Sequence, residues 1–293
     1  MKIFNTIKYI TGHPLNRKHK AKALLRFLKW QLSSRLMPYP LISRFSSKAH
    51  LVIKRSMTSA TGNLYCGLQD FEEMAFLLHF LRKEDLFIDV GANIGSYTVL
   101  ASAQMGCNSL SFEPVPSTYQ NLVNNINING ISEKVRSFNL ALGAKEEQLL
   151  ITSQYDTINN IKYKEEDGTI PIQVTTLDSI QIPAAENILL KIDVEGFEAA
   201  VLEGGMKCMD NPALKAIIIE FNGLGYQYGY DEKKIQELLL EKGFAVYQYQ
   251  PFERLLTKVN ELGINNSIYI RNIEFVQQRL KTAPPVCILQ QKF

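Results

Sequence analysis

Three short segments carry acids and glycines at spacings suited to holding a cationic nucleoside. In LFIDVGANIGSYT, residues 86–98, an apolar run ends in Asp89 and is followed by Gly91, Ala92, Asn93 and Gly95 on a turn into a helical pattern. Glycines at such a turn let the backbone approach a ligand and adopt torsions that other residues resist. The spacing is GxxxG with an Asp before it, unlike the GxGxxG loops that offer bare helix N-terminal amides to a pyrophosphate. A carboxylate at that point suits an ammonium group instead. In SFEPVPSTYQNLVNNINING, residues 111–130, Glu113 ends a second apolar run, twenty-two residues after Gly91. Nucleoside-binding folds place an acid at that separation to accept both ribose hydroxyls. An acid for an ammonium and an acid for a ribose point together to S-adenosylmethionine. Taken singly, the glycines could be structural, and Glu113 could be a charge ahead of a helix capped by Ser117. At the end of the third apolar run, Asn139 and Ala141 lie where such folds flank the adenine ring.

The third segment, ILLKIDVEGFEAAVLEGG at residues 188–205, delivers Lys191, Asp193 and Glu195 at alternate positions. In extended backbone these share one face of a strand. Burying three unpaired charges is costly, so they are expected to form a Lys-carboxylate network at a cleft, or a structural ion pair. If a cofactor of this kind were to pass its methyl group to an alcohol, the oxygen would have to be positioned and its proton removed. Positioning can supply an effective molarity of roughly 10⁵–10⁸ M, and a placed general base about 10²–10⁴-fold. All four histidines, His13, His19, His50 and His79, precede the first motif. A carboxylate base is therefore expected, in the order Asp193, Glu195 and then Glu220, which ends the next apolar run. The rival is a divalent metal on these three acids; the expectation is that none is needed.

Taken together, DVGANIGSYT, FEPVPSTYQNL, NLALG, TTLDS, KIDVEGFEAAVLEGG and IIIEFN resemble, in wording and order, the FkbM-type methyltransferases, over about residues 85–271. The resemblance implies a class I methyltransferase, Rossmann-like fold with seven strands, mostly parallel, the last antiparallel. It implies S-adenosylmethionine as cofactor and methylation of oxygen, often on sugar or natural-product hydroxyls. By position it puts Asp89, Gly91, Ala92, Asn93 and Gly95 around the methionine part, Glu113 and Pro114 at the ribose, and Asp193 at the reacting centre. The N-terminal stretch, from GHPLN through RFLKWQL to TGNLYCGL at 61–68, resembles a branch found among surface-polysaccharide genes.

The elements that must position these residues alternate. Helical patterns at 71–81, 95–105, 117–129, 198–203 and 231–241 interleave with strand-like runs at 86–90, 109–113, 135–139, 188–193, 216–221, 244–249 and 267–270. This is the pattern of a doubly wound α/β sheet. Residues 149–176 read instead as a β-rich hairpin insertion. Before residue 70 the character differs: thirteen of the 32 Lys and Arg lie in residues 1–69, where no Asp or Glu occurs. The remaining 19 cations and 29 acids leave residues 70–293 at a net −10. We therefore divide the chain into a basic, α-helical N-terminal extension, 1–69, and a methyltransferase domain, 70–293. Within the extension, Ala21, Leu24, Leu25, Leu28, Leu32 and Leu36 recur at helical spacing with Lys20, Lys22, Arg26 and Lys29 interleaved, ending near Met37-Pro38-Tyr39-Pro40. Packing of this stripe on the body is the first expectation. Contact with a membrane through residues 1–60 is the second, and nucleic acid the third.

No run is long enough to span a membrane, no secretory signal is recognisable, and Cys66, Cys107, Cys208 and Cys287 have no metal-ligand or disulfide spacing. A cytoplasmic protein is expected, peripheral at the inner membrane face if the stripe binds lipid. The acceptor is expected to be a small molecule or glycan, phosphate- or lipid-linked if the basic extension recruits it. Competing classes are a protein or nucleic-acid methyltransferase and a non-catalytic cofactor-binding scaffold. The missing third glycine argues against an NAD-dependent oxidoreductase, and DVEG, in place of D/N-PP-Y, against methylation of nucleic-acid amino groups. Tyr226, Tyr228 and Tyr230 could stack on a sugar face or pack in the body. The acceptor and the oligomeric state are not specified by the sequence.

Overall fold

A computed structural model describes residues 2–37, 39–55, 57–154, 159–259 and 266–293; Pro38, expected to help end the first helix, lies outside the described residues. The N-terminal extension forms α1 (Lys2–Gly12), α2 (Lys20–Leu36), a hairpin of β1 (Leu41–Arg44) and β2 (His50–Ile53), and α3 (Thr58–Cys66). The hairpin adds strand to a region expected to be helical. The amphipathic helix forms as α2, but with the opposite face inward. Ala23, Phe27 and Trp30 are buried, while Leu25, Leu28, Leu32 and Leu36 are 51–71% exposed. Packing of the leucine stripe on the body is thus overturned. Phe27 meets Tyr65 of α3 edge to face at 5.3 Å, a pairing that stabilises beyond the area it buries.

The body follows as α4 (Phe71–Phe80), β3 (Leu86–Val90), α5 (Ser96–Val99), β4 (Asn108–Phe112), α6 (Pro116–Ile128) and β5 (Val135–Phe138). The helix expected at 95–105 is α-helical for one turn and widens to a π-helical stretch over Leu100–Met105. Ser117 does not cap α6, because Pro116 opens the helix and Val115 precedes it; proline at the first helical position lacks an N–H that would go unpaired anyway. The insertion is a second sheet of four strands, β6 (Ala141–Leu142), β7 (Glu147–Thr152), β8 (Ile161–Lys162) and β9 (Thr169–Thr175). The chain then returns through β10 (Ile188–Ile192), α7 (Glu198–Glu203), α8 (Met206–Asp210), β11 (Leu214–Glu220), α9 (Glu232–Glu241), β12 (Ala245–Gln250), β13 (Leu255–Lys258), β14 (Asn266–Ile270), α10 (Ile273–Lys281), and a terminal hairpin of β15 (Cys287–Ile288) and β16 (Gln291–Lys292).

The main sheet has eight strands in the order β13-β12-β14-β11-β10-β3-β4-β5, and β5 through β11 are parallel. As expected, the strand at 266–270 runs antiparallel between β11 and β12. The eighth strand, β13, is a correction to the expected seven: it pairs antiparallel with the free edge of β12. The strand order reverses between β3 and β10, and ligands in open α/β sheets bind at the carboxyl ends beside such a switch point.

Cores cover both faces of the sheet. One includes Phe76, Phe87, Leu100 and Ile218 and continues without a break into Ile10, Phe27 and Trp30 of the extension. The other joins Ile88, Leu190, Ile217, Val201 and Leu239. Among the described residues no helix is long and apolar enough to cross a membrane. Cys66, Cys107 and Cys208 are buried free thiols and Cys287 is an exposed one.

At the amino end of β3, Asp85 is fully buried and ion-paired to Arg279 of α10, and it also accepts from Arg82 N at 2.6 Å and Asn187 Nδ2 at 2.9 Å. Removing one partner of a buried pair strands the other, at a cost of about 3–5 kcal/mol. Asp85→Ala is therefore expected to lower the free energy of unfolding in urea by that amount, moving the midpoint to lower urea in proportion. A midpoint equal to that of the parent would refute this clamp.

Candidate active site

The carboxyl ends of β3, β4, β10 and β11 open into a cavity of about 360 Å³, within the roughly 300–1,000 Å³ typical of small-molecule sites. Gly91, Ala92, Asn93, Glu113, Pro114, Ala141, Lys191, Asp193, Glu195 and Glu220 all line it. Asp89, Gly95 and Asn139 do not. Gly95 sits behind the wall at the N-cap of α5 (φ 85°). Asn139 spends its amide donating to the carbonyls of Glu113 and Pro114, at 2.9 Å each, so the wall expected to flank a ring is formed there by Leu140, Ala141 and Leu142.

Glu113 is held from below. Its Oε2 accepts from Asn93 N and its Oε1 from Val115 N, both at 3.0 Å. Burial pushes its carboxyl up to about 7, against these two N–H groups, which favour the charged form. Both oxygens retain a lone pair for hydroxyl donors in the cavity. Asn93 turns the chain here in the left-handed region (φ 51°), which asparagine tolerates better than most residues.

Asp89 lies under the floor, 1% exposed. Its Oδ2 accepts from Thr98 Oγ1 at 2.6 Å, and that hydroxyl also exchanges a hydrogen bond with Ser111 at 2.7 Å. Its Oδ1 is buried and has no hydrogen-bond partner among the described residues. Burial raises the pKa of Asp89, with Lys191 opposing. Lys191 stands directly opposite Asp89 in strand register, donates to Asp193 Oδ2 at 2.8 Å and lies 4.8 Å from the Tyr97 ring centroid. Burial disfavours the ammonium charge, but the carboxylates of Asp193, Asp89 and Asp70 outweigh it and raise the pKa.

Strand alternation places Lys191 and Asp193 together but does not reach Glu195, because β10 ends at Ile192. Glu195 is turned by a tight loop in which it takes φ 53° and Gly196 takes φ 99°. Buried Glu198 pins that loop, accepting from Val194 N at 3.2 Å and Gly196 N at 3.1 Å. The outcome is a cluster: Asp193, Glu195 and Glu220 each present an oxygen within 4.8 Å of the others, and all three are half-buried. Asn222 Nδ2 donates to Glu195 at 3.0 Å and to Glu220 at 3.3 Å. Burial and then the Asp193 charge push Glu195 up to about 7, and burial with Asp193 and Glu195 raises Glu220 further. Three hard oxygen ligands of this kind could also take a divalent cation.

Several lining groups carry no signal of spacing. Thr58 and Ser59 come from α3, Asp70 from the start of α4, Tyr97 from α5, and Ile151, Asn159 and Ile161 from the β-insertion, which overhangs the site. Asp70 accepts from the Tyr97 hydroxyl at 3.1 Å, and burial raises its pKa. Its one trace in the sequence is being the first acid after 69 residues without any. None of the four histidines lines the cavity; His13 and His79 are buried elsewhere, each held near 4 by burial. Tyr228 and Tyr230 pack edge-on against Phe197, leaving Tyr226 alone exposed, at 87%.

Among known proteins, the chain is similar to the hexuronic acid methyltransferase AglP of Haloferax volcanii, 25% identical over 169 residues that cover 56% of this chain and 65% of that protein. The match thus spans somewhat less than two thirds of that relative's length. A methyltransferase 1 of Beauveria bassiana is also 25% identical, over 197 residues, 57% of this chain and 75% of the other. Among solved structures, a methyltransferase FkbM of Methylobacillus flagellatus superposes with a TM-score of 0.45 at 15% identity, covering 85% of this chain and 60% of that one. The model of the methyltransferase FkbM domain matches residues 89–246, from the tip of β3 to β12 and more than half of the chain, and the protein belongs to that family.

Proposed function

We propose that the protein is an S-adenosylmethionine-dependent O-methyltransferase acting on a hydroxyl of a glycan or natural-product acceptor. One observation carries this reading. The cavity presents Glu113, Asp70, Asp193, Glu195 and Glu220 against a single lysine, Lys191, which is already tied to Asp193. Such a lining repels phosphates and suits a cation with a ribose diol, which is the chemistry of S-adenosylmethionine. Asp89, with one buried oxygen unpaired, adds a further negative group beneath the floor.

In this reading Glu113 holds the ribose hydroxyls while Leu140, Ala141 and Leu142 pack against the base. Asp193, fixed by Lys191, faces the reacting centre. Glu195 or Glu220 takes the proton of the acceptor hydroxyl, and the overhanging β-insertion excludes water. When bound, the cofactor supplies a methyl group already activated as a sulfonium substituent. The name of the Haloferax volcanii relative supports a sugar-derived acceptor.

Isothermal titration with S-adenosylmethionine and its demethylated product tests the cofactor assignment. Both are expected to bind, and NAD is not. Hydrogen bonds to a charged group contribute about 1.5–3 kcal/mol, so Glu113→Gln should weaken both cofactor forms roughly 10- to 100-fold. No measurable affinity of the parent protein for either form would end this reading. Release of demethylated product with a sugar or natural-product hydroxyl acceptor, retained after exhaustive chelation, would separate it from a scaffold and from a metal-assisted reaction on the acidic cluster.

A further inference from the structure

The outward face of α2 is the largest feature that the active-site reading leaves unexplained. At about 100° per residue, Leu25, Leu28, Leu32 and Leu36 fall within an arc of roughly 80°. The buried Ala23, Phe27 and Trp30 centre on the diametrically opposite side. The leucines are therefore not incidental rim residues of a packed helix: they point straight away from the body, 51%, 60%, 62% and 71% exposed. They form a ridge about 16 Å long. Lys22 and Lys29 border it on one side and Arg35 on the other, all three exposed. In α1, which packs against α2, Ile3 and Phe4 are likewise exposed, at 69% and 72%.

We infer that this ridge docks the protein on an anionic lipid bilayer, with α2 lying in the plane of the headgroups. Charge complementarity selects that occupant. The extension holds thirteen cations and no acid over residues 1–69, so two copies joined through their ridges would bring Lys22, Lys29 and Arg35 of both together with no carboxylate from either extension between them. A nucleic acid would engage the cations and leave the leucines in water. An anionic bilayer satisfies both features: leucines enter the acyl boundary while flanking Lys and Arg meet lipid phosphates. The placement also has a consequence for the cavity. Arg26 of α2 donates to the Tyr65 carbonyl of α3 at 2.8 Å, and α3 contributes Thr58 and Ser59 to the cavity wall. The element that docks is thus braced against one that walls the site.

The test is co-sedimentation of the full chain with vesicles of phosphatidylcholine alone or with about a third phosphatidylglycerol. Binding is expected to the anionic vesicles and at least about tenfold weaker to neutral ones, and to fall in high salt as the charges are screened. Leu28→Ser with Leu32→Ser should reduce binding to anionic vesicles at least about tenfold while leaving the melting temperature unchanged, since both side chains are already exposed. Lys22→Gln with Lys29→Gln should weaken it less. The inference is overturned if anionic vesicles do not bind, if the leucine variant binds like the parent, or if the leucines instead mediate a dimer seen by equilibrium sedimentation. None of these readouts depends on methyl transfer, so docking and the catalytic reading can fail separately.

Discussion

Gly91→Ala is expected to lower the melting temperature by roughly 5–10 °C and to weaken binding of the proposed cofactor although no lining side chain is changed. The reason lies in strand geometry. Gly91 has φ 78°, and a Cβ built on it would sit 1.9 Å from the carbonyl oxygen of Asp193. The left-handed torsion costs a residue with a Cβ about 1–2 kcal/mol, and forcing an atom into a close-packed contact about 1–3 kcal/mol more. The overlap is with backbone, so it is relieved only by separating the tips of β3 and β10. That movement carries Asp193 away from Glu113 and slackens the pair of bonds that Gly91 N and Ala92 N donate to the Phe112 carbonyl, at 3.0 and 2.9 Å. Gly130→Ala is the control. Gly130 has φ 63° with nothing within 4 Å of its built Cβ, so it should bear the torsional cost alone, a few degrees of melting temperature, and bind cofactor like the parent. Equal behaviour of the two variants would mean that the strand tips are not held by this contact.

How far the site could be read from residues alone depends on what each inference rested upon. Where an apolar run of five or six residues ended in Asp, Glu or Gly, the strand and its exit followed closely: β3 spans Leu86–Val90, as expected, and Glu113 lies just past β4. These ends are legible because a parallel strand buried on both faces is mostly apolar, and here the charged residues, Asp89 in β3 and Lys191 in β10, fall within a residue or two of the carboxyl end. Alternation misled at Glu195, since it presumes extended backbone and the chain turns at Glu195 and Gly196, both at positive φ. Periodicity found α2 but not its inward face, because a stripe of leucines and a stripe of Ala23, Phe27 and Trp30 are both apolar and only the neighbour decides between them. Asp70 and Tyr97 meet across 27 positions, and no local spacing encodes such a contact. Strand β13 escaped notice because Leu255, Thr257 and Lys258 are exposed and Leu256 alone is buried, leaving no alternating pattern to detect.

Glu220→Gln is expected to lower kcat by about 10²–10⁴-fold while making the protein more stable in alkaline buffer. Both effects follow from the crowding of Asp193, Glu195 and Glu220. Asp193 is matched by Lys191 at 2.8 Å, whereas Glu195 and Glu220 share the Asn222 amide and no cation is bonded to either among the described residues. Glu195 is thereby pushed up to about 7, by burial first and Asp193 second, and Glu220 is raised further by burial and both neighbours. A base whose pKa lies close to the working pH combines a useful ionised fraction with adequate proton affinity, which suits these two for accepting the proton. Turnover of the parent should therefore rise with pH through the range 7–8, because the base must first lose its own proton. The sulfonium cofactor proposed for this site would favour the charged carboxylates, so the limb measured with saturating S-adenosylmethionine should lie at lower pH than that of the free enzyme. Stability follows the opposite course. A carboxylate whose folded pKa lies above its unfolded value holds more protons folded than unfolded, so the fold loses stability as pH rises between the two values. Gln at position 220 removes that penalty, and the gain in melting temperature over the parent should appear above pH 8 and vanish near pH 4. A variant that lost turnover without the alkaline gain would place Glu220 outside the crowded cluster, and full turnover in both Glu220→Gln and Glu195→Gln would return the role of base to Asp193.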